Sequence, residues 1–318
     1  MPEDYVRVRI DAKAFQLPLG ELAATMVQKV FREGHEHIAG PSYIREDIAT
    51  ILRYAASVYN LLFYLHADER RKEDCNWFVR YGITAMSLVR SLIDCLYNVI
   101  AILENPAEKG PQYRKSGLKR TLDDLNEDHK RYRGQERWES YIEERRGPIE
   151  LLIRGSGFTL DEVMQTPGHE MWPTLGKYTK TRQPGGVLTD NQKFLETFAY
   201  LEWRQYSALS HAAYEAFIGT LGHFPVGVYF MNDFFPHELR PKIEESYDVF
   251  LTLHLCRAAT VLLCLVTELQ AHCRFDGHNI NERICKVWDT LRPLFEAKEL
   301  YDGRYFKLMQ ERGILPRE

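Results

Sequence analysis

Arg204, Ser207 and His211 fall within residues 191–220, a stretch with no proline and no glycine before Gly219. Such a stretch reads as one continuous helix, on which side chains three, four and seven residues apart share a face. Arg204 and His211 would then stand about 10 Å apart along the axis. A guanidinium, a hydroxyl and an imidazole in one row suit a phosphodiester. The cation offsets charge developing on the phosphate, and the imidazole moves a proton. The alternative is structural, with His211 hydrogen-bonded to Ser207 or Tyr214 on the helix face.

A second polar row lies in residues 72–104. Its centre, GITAMSLVRSLIDCLYNVIAIL, is apolar on nearly every side, yet Arg90, Asp94 and Asn98 interrupt it at i, i+4 and i+8. Burying a charge is costly unless it is paired. The row is therefore either an internal ion pair that sets helix register or one wall of a site completed by another helix.

An arginine, a short spacer and a histidine inside a helix of an α-helical protein resembles the HEPN superfamily, and Arg204-Gln-Tyr-Ser-Ala-Leu-Ser-His211 carries the likeness. The helix with Arg90-Ser-Leu-Ile-Asp94 adds to it, so the resemblance covers mainly two helices. It implies a metal-independent endoribonuclease of the toxin or antiphage-defence type, using the ribose 2′-hydroxyl as nucleophile. By the same resemblance, His211 would move the proton and Arg204 would hold the scissile phosphate. The pair would meet its copy across a homodimer interface, with Ser207, Tyr214, Arg90, Asp94 and Asn98 in support. No cofactor is implied. Gln205 stands where many active members carry Asn, Asp or His. With the formal net charge of −4, that departure points to an alternative: a non-catalytic helical module that binds a nucleotide, RNA or protein within a larger assembly.

Competing chemistries are poorly represented. His35 and His37 lie close together in a glycine-containing loop, and Cys273 and His278 flank another, but each is a lone pair where tetrahedral zinc takes three or four protein ligands. No HExxH, GxGxxG or GxSxG occurs. Gly176–Lys177 lacks the upstream glycine of a P-loop, although Lys177, Lys180 and Arg182 form a short basic loop that could fold over a phosphate. Lys130, Arg131 and Arg133 offer a basic edge for nucleic acid, set among acids that point instead to a solvated helix pair.

Composition sets the wider frame. An apolar fraction of 45% is that of a globular protein. The acidic balance argues against a protein that coats duplex DNA. Six scattered cysteines without a CxxC read as reduced core residues of a cytoplasmic protein, and the mixed-charge N-terminus does not read as a signal peptide. Residues 249–269 are apolar enough to span a bilayer, but His254 and Arg257 fall inside them, so a buried bundle helix is expected and no membrane partner.

The elements that must position these residues follow from period and punctuation. Residues 5–10 alternate like a short strand or an extended arm. Helices are expected at 20–33, 43–67, 72–104, 191–220, 241–272, 279–300 and 305–312. Residues 106–117 read as a linker. Residues 118–154 read as a charged helix pair broken at Gly134 and at Gly147–Pro148. Residues 155–189 read as an irregular lid or interface arm, with Thr159 and Glu162 as a capping pair. Asp190 is the expected N-cap of 191–220, and a Phe-rich loop at 224–235 is a further contact candidate. The expected fold is all-α: one extended domain over 1–318, a bundle of about eight helices. In it, 1–70 supply N-terminal helices, 72–104 and 191–275 the core, 106–189 a charged insertion and loop, and 276–318 the C-terminal helices.

Overall fold

A computed structural model describes residues 12–67, 75–167, 171–181, 186–200 and 240–315. Of residues 12–13, 66–67, 75–84, 199–200 and 240–251 it describes the backbone alone. Among the described residues the chain is helical throughout, with no strand. The alternating segment 5–10 lies outside them.

Helix α1 (Ala12–Glu33) starts eight residues before the expected boundary and runs through Pro18. An interior proline removes one backbone bond and costs about 3 kcal/mol. Packing outweighs that cost here, because Phe15, Leu19, Leu22, Ala23, Met26 and Val30 recur at helical spacing and are all fully buried. Helix α2 (Ser42–Ala67) buries the expected stripe of Ile48, Ile51, Leu52, Ala55, Val58, Tyr59 and Leu62. Helix α3 (Cys75–Glu104) ends where Pro106 follows. From Ala85 onward it is buried on most sides, as its all-round apolar sequence requires.

Residues 106–117 are not a linker. Helix α4 (Pro106–Arg131) begins at Pro106, whose fixed φ suits the first helical turn. Gly110, which looks like a chain breaker, is a packing residue. A Cβ built there would fall 2.6 Å from Ile44 Cγ1 on α2, so only glycine allows the two helices to approach this closely. Helix α5 (Glu136–Gly155) continues through Gly147–Pro148, and the expected break there is absent. The break at Gly134 is present, with φ +81° in the turn between α4 and α5. A small separate core joins this hairpin to the helix that follows it: Leu122, Ile153 and Val163.

The short helix α6 (Leu160–Met164) opens on the expected capping box. The Thr159 hydroxyl accepts from the Glu162 N–H, and the Glu162 carboxylate accepts from the Thr159 N–H. Helix α7 (Leu175–Tyr178) follows. Helix α8 (Asp190–Phe194) runs on into a π-helical turn over Leu195–Tyr200. Its N-cap is Thr189 and not Asp190: Thr189 and Gln192 form a second capping box.

Helix α9 (Arg240–Cys273) is the buried axis, and the apolar stretch Thr252–Cys273 is 83% buried by the rest of the protein. Among the described residues three helices are long and apolar enough to cross a membrane: Ser42–Leu65, Ala85–Glu104 and Thr252–Cys273. Here α3, α2 and α1 pack on α9, and α2 packs on both α1 and α3. Helix α10 (Ile280–Leu291) stops before Pro293, earlier than the expected end at 300. Helix α11 (Phe295–Leu300) passes through a π-helical turn (Tyr301–Tyr305) and finishes as Phe306–Glu311. The core is one continuous cluster drawn from the N-terminal, central and C-terminal helices. Its largest buried side chain, Trp288 of α10, donates to the Thr267 hydroxyl of α9 at 3.1 Å.

Candidate functional site

Arg90, Asp94 and Asn98 lie along one face of α3, as their spacing requires. Arg90 Nε and Asp94 Oδ2 are 4.0 Å apart, at the outer edge of ion-pair range. Asn98 Oδ1 accepts from Trp172 Nε1 at 2.9 Å, and the neighbouring Tyr97 hydroxyl donates to the Pro173 carbonyl at 2.5 Å. The irregular connection around 171–181 is therefore fastened to α3. Trp172, Leu175 and Tyr178 are buried in the main core, and this part of the connection is a wall and not a free lid. Lys177 and Lys180 sit on its exposed side, while Arg182 lies outside the described residues. So do Arg204, Ser207, His211 and Tyr214, together with the Phe-rich loop at 224–235.

The base of the segment leading to Arg204 is described. A polar chain of contacts secures it. The Tyr178 hydroxyl donates to Glu104 Oε1 at 2.5 Å, and Asn191 Nδ2 donates to the same oxygen at 3.1 Å. Asn191 Oδ1 in turn accepts from Arg304 Nη2 at 2.8 Å, and Arg304 Nε donates to Glu268 Oε1 at 2.8 Å. Burial, followed by the bond to Glu104, raises the Tyr178 pKa above its usual range, so its proton stays on the phenol. For Arg304 burial is the largest single influence and opposes the charge, but the neighbouring groups, Glu268 foremost, together outweigh it and raise the pKa. Gln192 is buried one residue on, and its amide donates to the carbonyls of Tyr178 and Thr181 at 2.9 and 2.7 Å.

Beside this chain opens a cleft of about 770 Å³ between α8 and α11, within the range of small-molecule sites. Both π-helical turns line it, through Thr197 and Phe198 on one side and Gly303 and Arg304 on the other. A π-turn inserts a residue and re-aims side chains, and such turns concentrate at functional sites. The Arg304 guanidinium lies 4.5 Å over the Phe194 ring, and Phe194 stacks on Phe198 at 5.8 Å. Lys193, Lys307, Glu299 and Glu311 stand around it, so the rim carries both signs. A much smaller void joins α3, α8 and α9 at Val89, Ile93, Phe198 and Arg257. There Arg257 makes a two-pronged contact with Glu296 at 3.0 and 2.6 Å.

Sequence reasoning did not find this cleft, because its two walls are about a hundred residues apart in the chain. The buried place of the connection had a sequence signal: Trp172 and Tyr178 are large aromatics in an otherwise turn-rich stretch.

Other chemistry recedes. Burial pushes the thiols of Cys95, Cys256 and Cys273 up to about 12, so they are protonated at neutral pH and poor nucleophiles. Among the described residues no group of three or more His, Cys, Asp or Glu side chains could hold a metal ion. His37 instead packs edge-on against Phe275 at 5.3 Å, and Cys273 is a buried core residue. No family model matches the chain, no curated protein matches its sequence and no solved structure matches its fold at a significant level. The candidate site rests on the chain's own chemistry.

Proposed function

We propose that the chain is a HEPN-like, metal-independent endoribonuclease. Arg204 holds an RNA phosphodiester, and His211 transfers the proton as the 2′-hydroxyl attacks. The observation that carries this reading is the placement of Arg204, Ser207 and His211 in a stretch free of helix breakers. Two structural features support it. The described chain is all-helical, and the segment that leads to Arg204 lines a ligand-sized cleft as far as Phe198. In this reading the protein is cytoplasmic, belongs to a toxin or antiphage defence, and acts as a homodimer or within a larger assembly.

The test is cleavage of single-stranded RNA by the full chain. His211→Ala should lower the rate by about 10²-fold or more with an unchanged circular dichroism spectrum. EDTA should have no effect, and the products should carry 2′,3′-cyclic phosphates. Activity that survives His211→Ala, or that a chelator removes, overturns the reading. A second reading draws on Gln205 and on the engagement of Asn98 by Trp172, which commits part of the proposed supporting wall to the fold. It makes the protein a non-catalytic nucleotide-, RNA- or protein-binding module, and binding of RNA without turnover would favour it.

A further inference from the structure

The turn between α4 and α5 is remote from the cleft in sequence and has a surface of its own. Tyr132 closes α4 and Trp138 lies in the first turn of α5. Their rings stack at 4.8 Å with planes 19° apart, and Tyr141 meets Trp138 edge-on at 6.1 Å. Burial does not account for this ladder, since Trp138 is 44% exposed and Tyr141 48%. Gly134, at φ +81°, lets the chain reverse tightly enough to bring the first two rings together.

Charge is distributed unevenly around these rings. Residues 130–137 hold four cations and one carboxylate, Glu136. Much of the nearby acid is already engaged: Glu127 with Lys130 at 2.8 Å, Glu139 with the Gly134 N–H at 2.8 Å, and Asp128 with Arg145 at 3.9 Å. Arg131, Arg133 and Arg137 are exposed and have no ion-pair or hydrogen-bond partner among the described residues. Arg145 adds a guanidinium 5.7 Å over the Tyr141 ring. Several of the acids are thus engaged locally, and three exposed arginines that flank the rings in sequence are left without a partner among the described residues.

We propose that this hairpin tip is a binding surface for single-stranded nucleic acid. Unstacked bases would lie against the Trp138 and Tyr141 rings, and Arg131, Arg133 and Arg137 would contact the backbone phosphates. Exposed rings next to unpaired cations are the chemistry of such platforms, because every base has a π-face and every linkage a negative charge. A duplex, with its bases already stacked, cannot use the rings. A membrane surface fits less well, since residues 130–141 contain no Leu, Ile, Val, Phe or Met to enter the acyl boundary. The proposal does not rest on the ribonuclease reading, because every contact lies within the hairpin.

The experiment is fluorescence anisotropy on the full chain with three labelled probes: a 2′-O-methyl oligouridylate, an oligo(dT) and a duplex of mixed sequence. The 2′-O-methyl strand cannot be cut through its own 2′-hydroxyl, so the experiment reads binding and not cleavage. Both single strands should bind, and the duplex more weakly. Trp138→Ala should weaken single-strand binding about tenfold or more, while Trp138→Phe, which keeps a ring, should retain most of it. The triple change Arg131→Ser, Arg133→Ser, Arg137→Ser, made at exposed positions, should lower the slope of log affinity against log salt by about 2. No binding to either strand, unchanged affinity in the ring and arginine variants, or tighter binding to phosphatidylserine vesicles than to either strand would overturn the proposal.

Discussion

Helix α9 and the α4–α5 hairpin are both long helical segments, and they are held in opposite ways. Helix α9 is buried along most of Thr252–Cys273. Two of its hydroxyls return to their own helix: Thr260 donates to the Cys256 carbonyl and Thr267 to the Leu263 carbonyl. What holds it is apolar area, at about 1.5–3 kcal/mol for each large side chain fully buried. The hairpin is charged and largely solvated, with a small core that it shares with Val163 of α6. Its attachment is concentrated in a few contacts. Arg114 donates to both oxygens of Asp47 at 2.9 and 2.7 Å and to the Ser156 hydroxyl at 2.9 Å, and it lies 4.6 Å over the Tyr43 ring. One side chain thus ties α4 to α2 and to the end of α5. Stability spread over a core is insensitive to any one polar group, whereas stability gathered at one arginine is not.

The largest expected effect tests the core. Trp288→Ala removes a fully buried indole and leaves a cavity, at about 3–5 kcal/mol. Urea unfolding should show the loss in one cooperative transition, and a loss under about 1 kcal/mol would mean that α10 is not seated on α9 as described.

Arg114→Ala comes next, at about 2–4 kcal/mol, because it strands the Asp47 carboxylate. Hydrogen exchange should quicken in α4 and α5 and stay slow in α9; uniform quickening would break the contrast between the two regions. The loss should also depend on pH. Burial already raises the Asp47 pKa above its usual value, and Arg114 opposes that rise. Without the arginine the folded-state pKa climbs further above the unfolded one, so the folded state takes up a proton first. The variant should then regain stability as pH falls through that raised pKa and lose it again as pH rises. Smallest is Thr159→Ala, about 1 kcal/mol from one lost cap. Its faster exchange should be confined to α6.

Much of the helical framework was legible in the sequence. The α2 stripe, the Thr159–Glu162 capping box and the opening of α9 at Pro241 all follow from local rules. Most of the misreadings concern apparent helix breakers. Pro18, Gly110 and Gly147–Pro148 look like breaks, and each lies within a helix. For Pro18 and Gly110 the reason is visible. Burial of the α1 stripe outweighs the lost bond at Pro18, and Ile44 of a different helix requires the bare backbone of Gly110. At Thr189 the competition was local: Thr189 and Asp190 both cap well, and Gln192 sits at the spacing that completes a box with Thr189. Of the candidate site, the shared face of Arg90, Asp94 and Asn98 was readable from period alone. That Asn98 is engaged by Trp172, seventy-four residues on, was not.

By itself the sequence determined that the described chain is helical, where its apolar stripes lie and which residues have chemistry to offer, because helical period, caps and side-chain type act over a few residues. Only the tertiary structure decided which polar groups are spent on the fold and which stay exposed. Glu104, Asn191, Arg304 and Glu268 are consumed in one chain of contacts, and Arg131, Arg133 and Arg137 are left over. Whether a charge has a partner depends on what arrives from elsewhere in the chain, and no local rule carries that information.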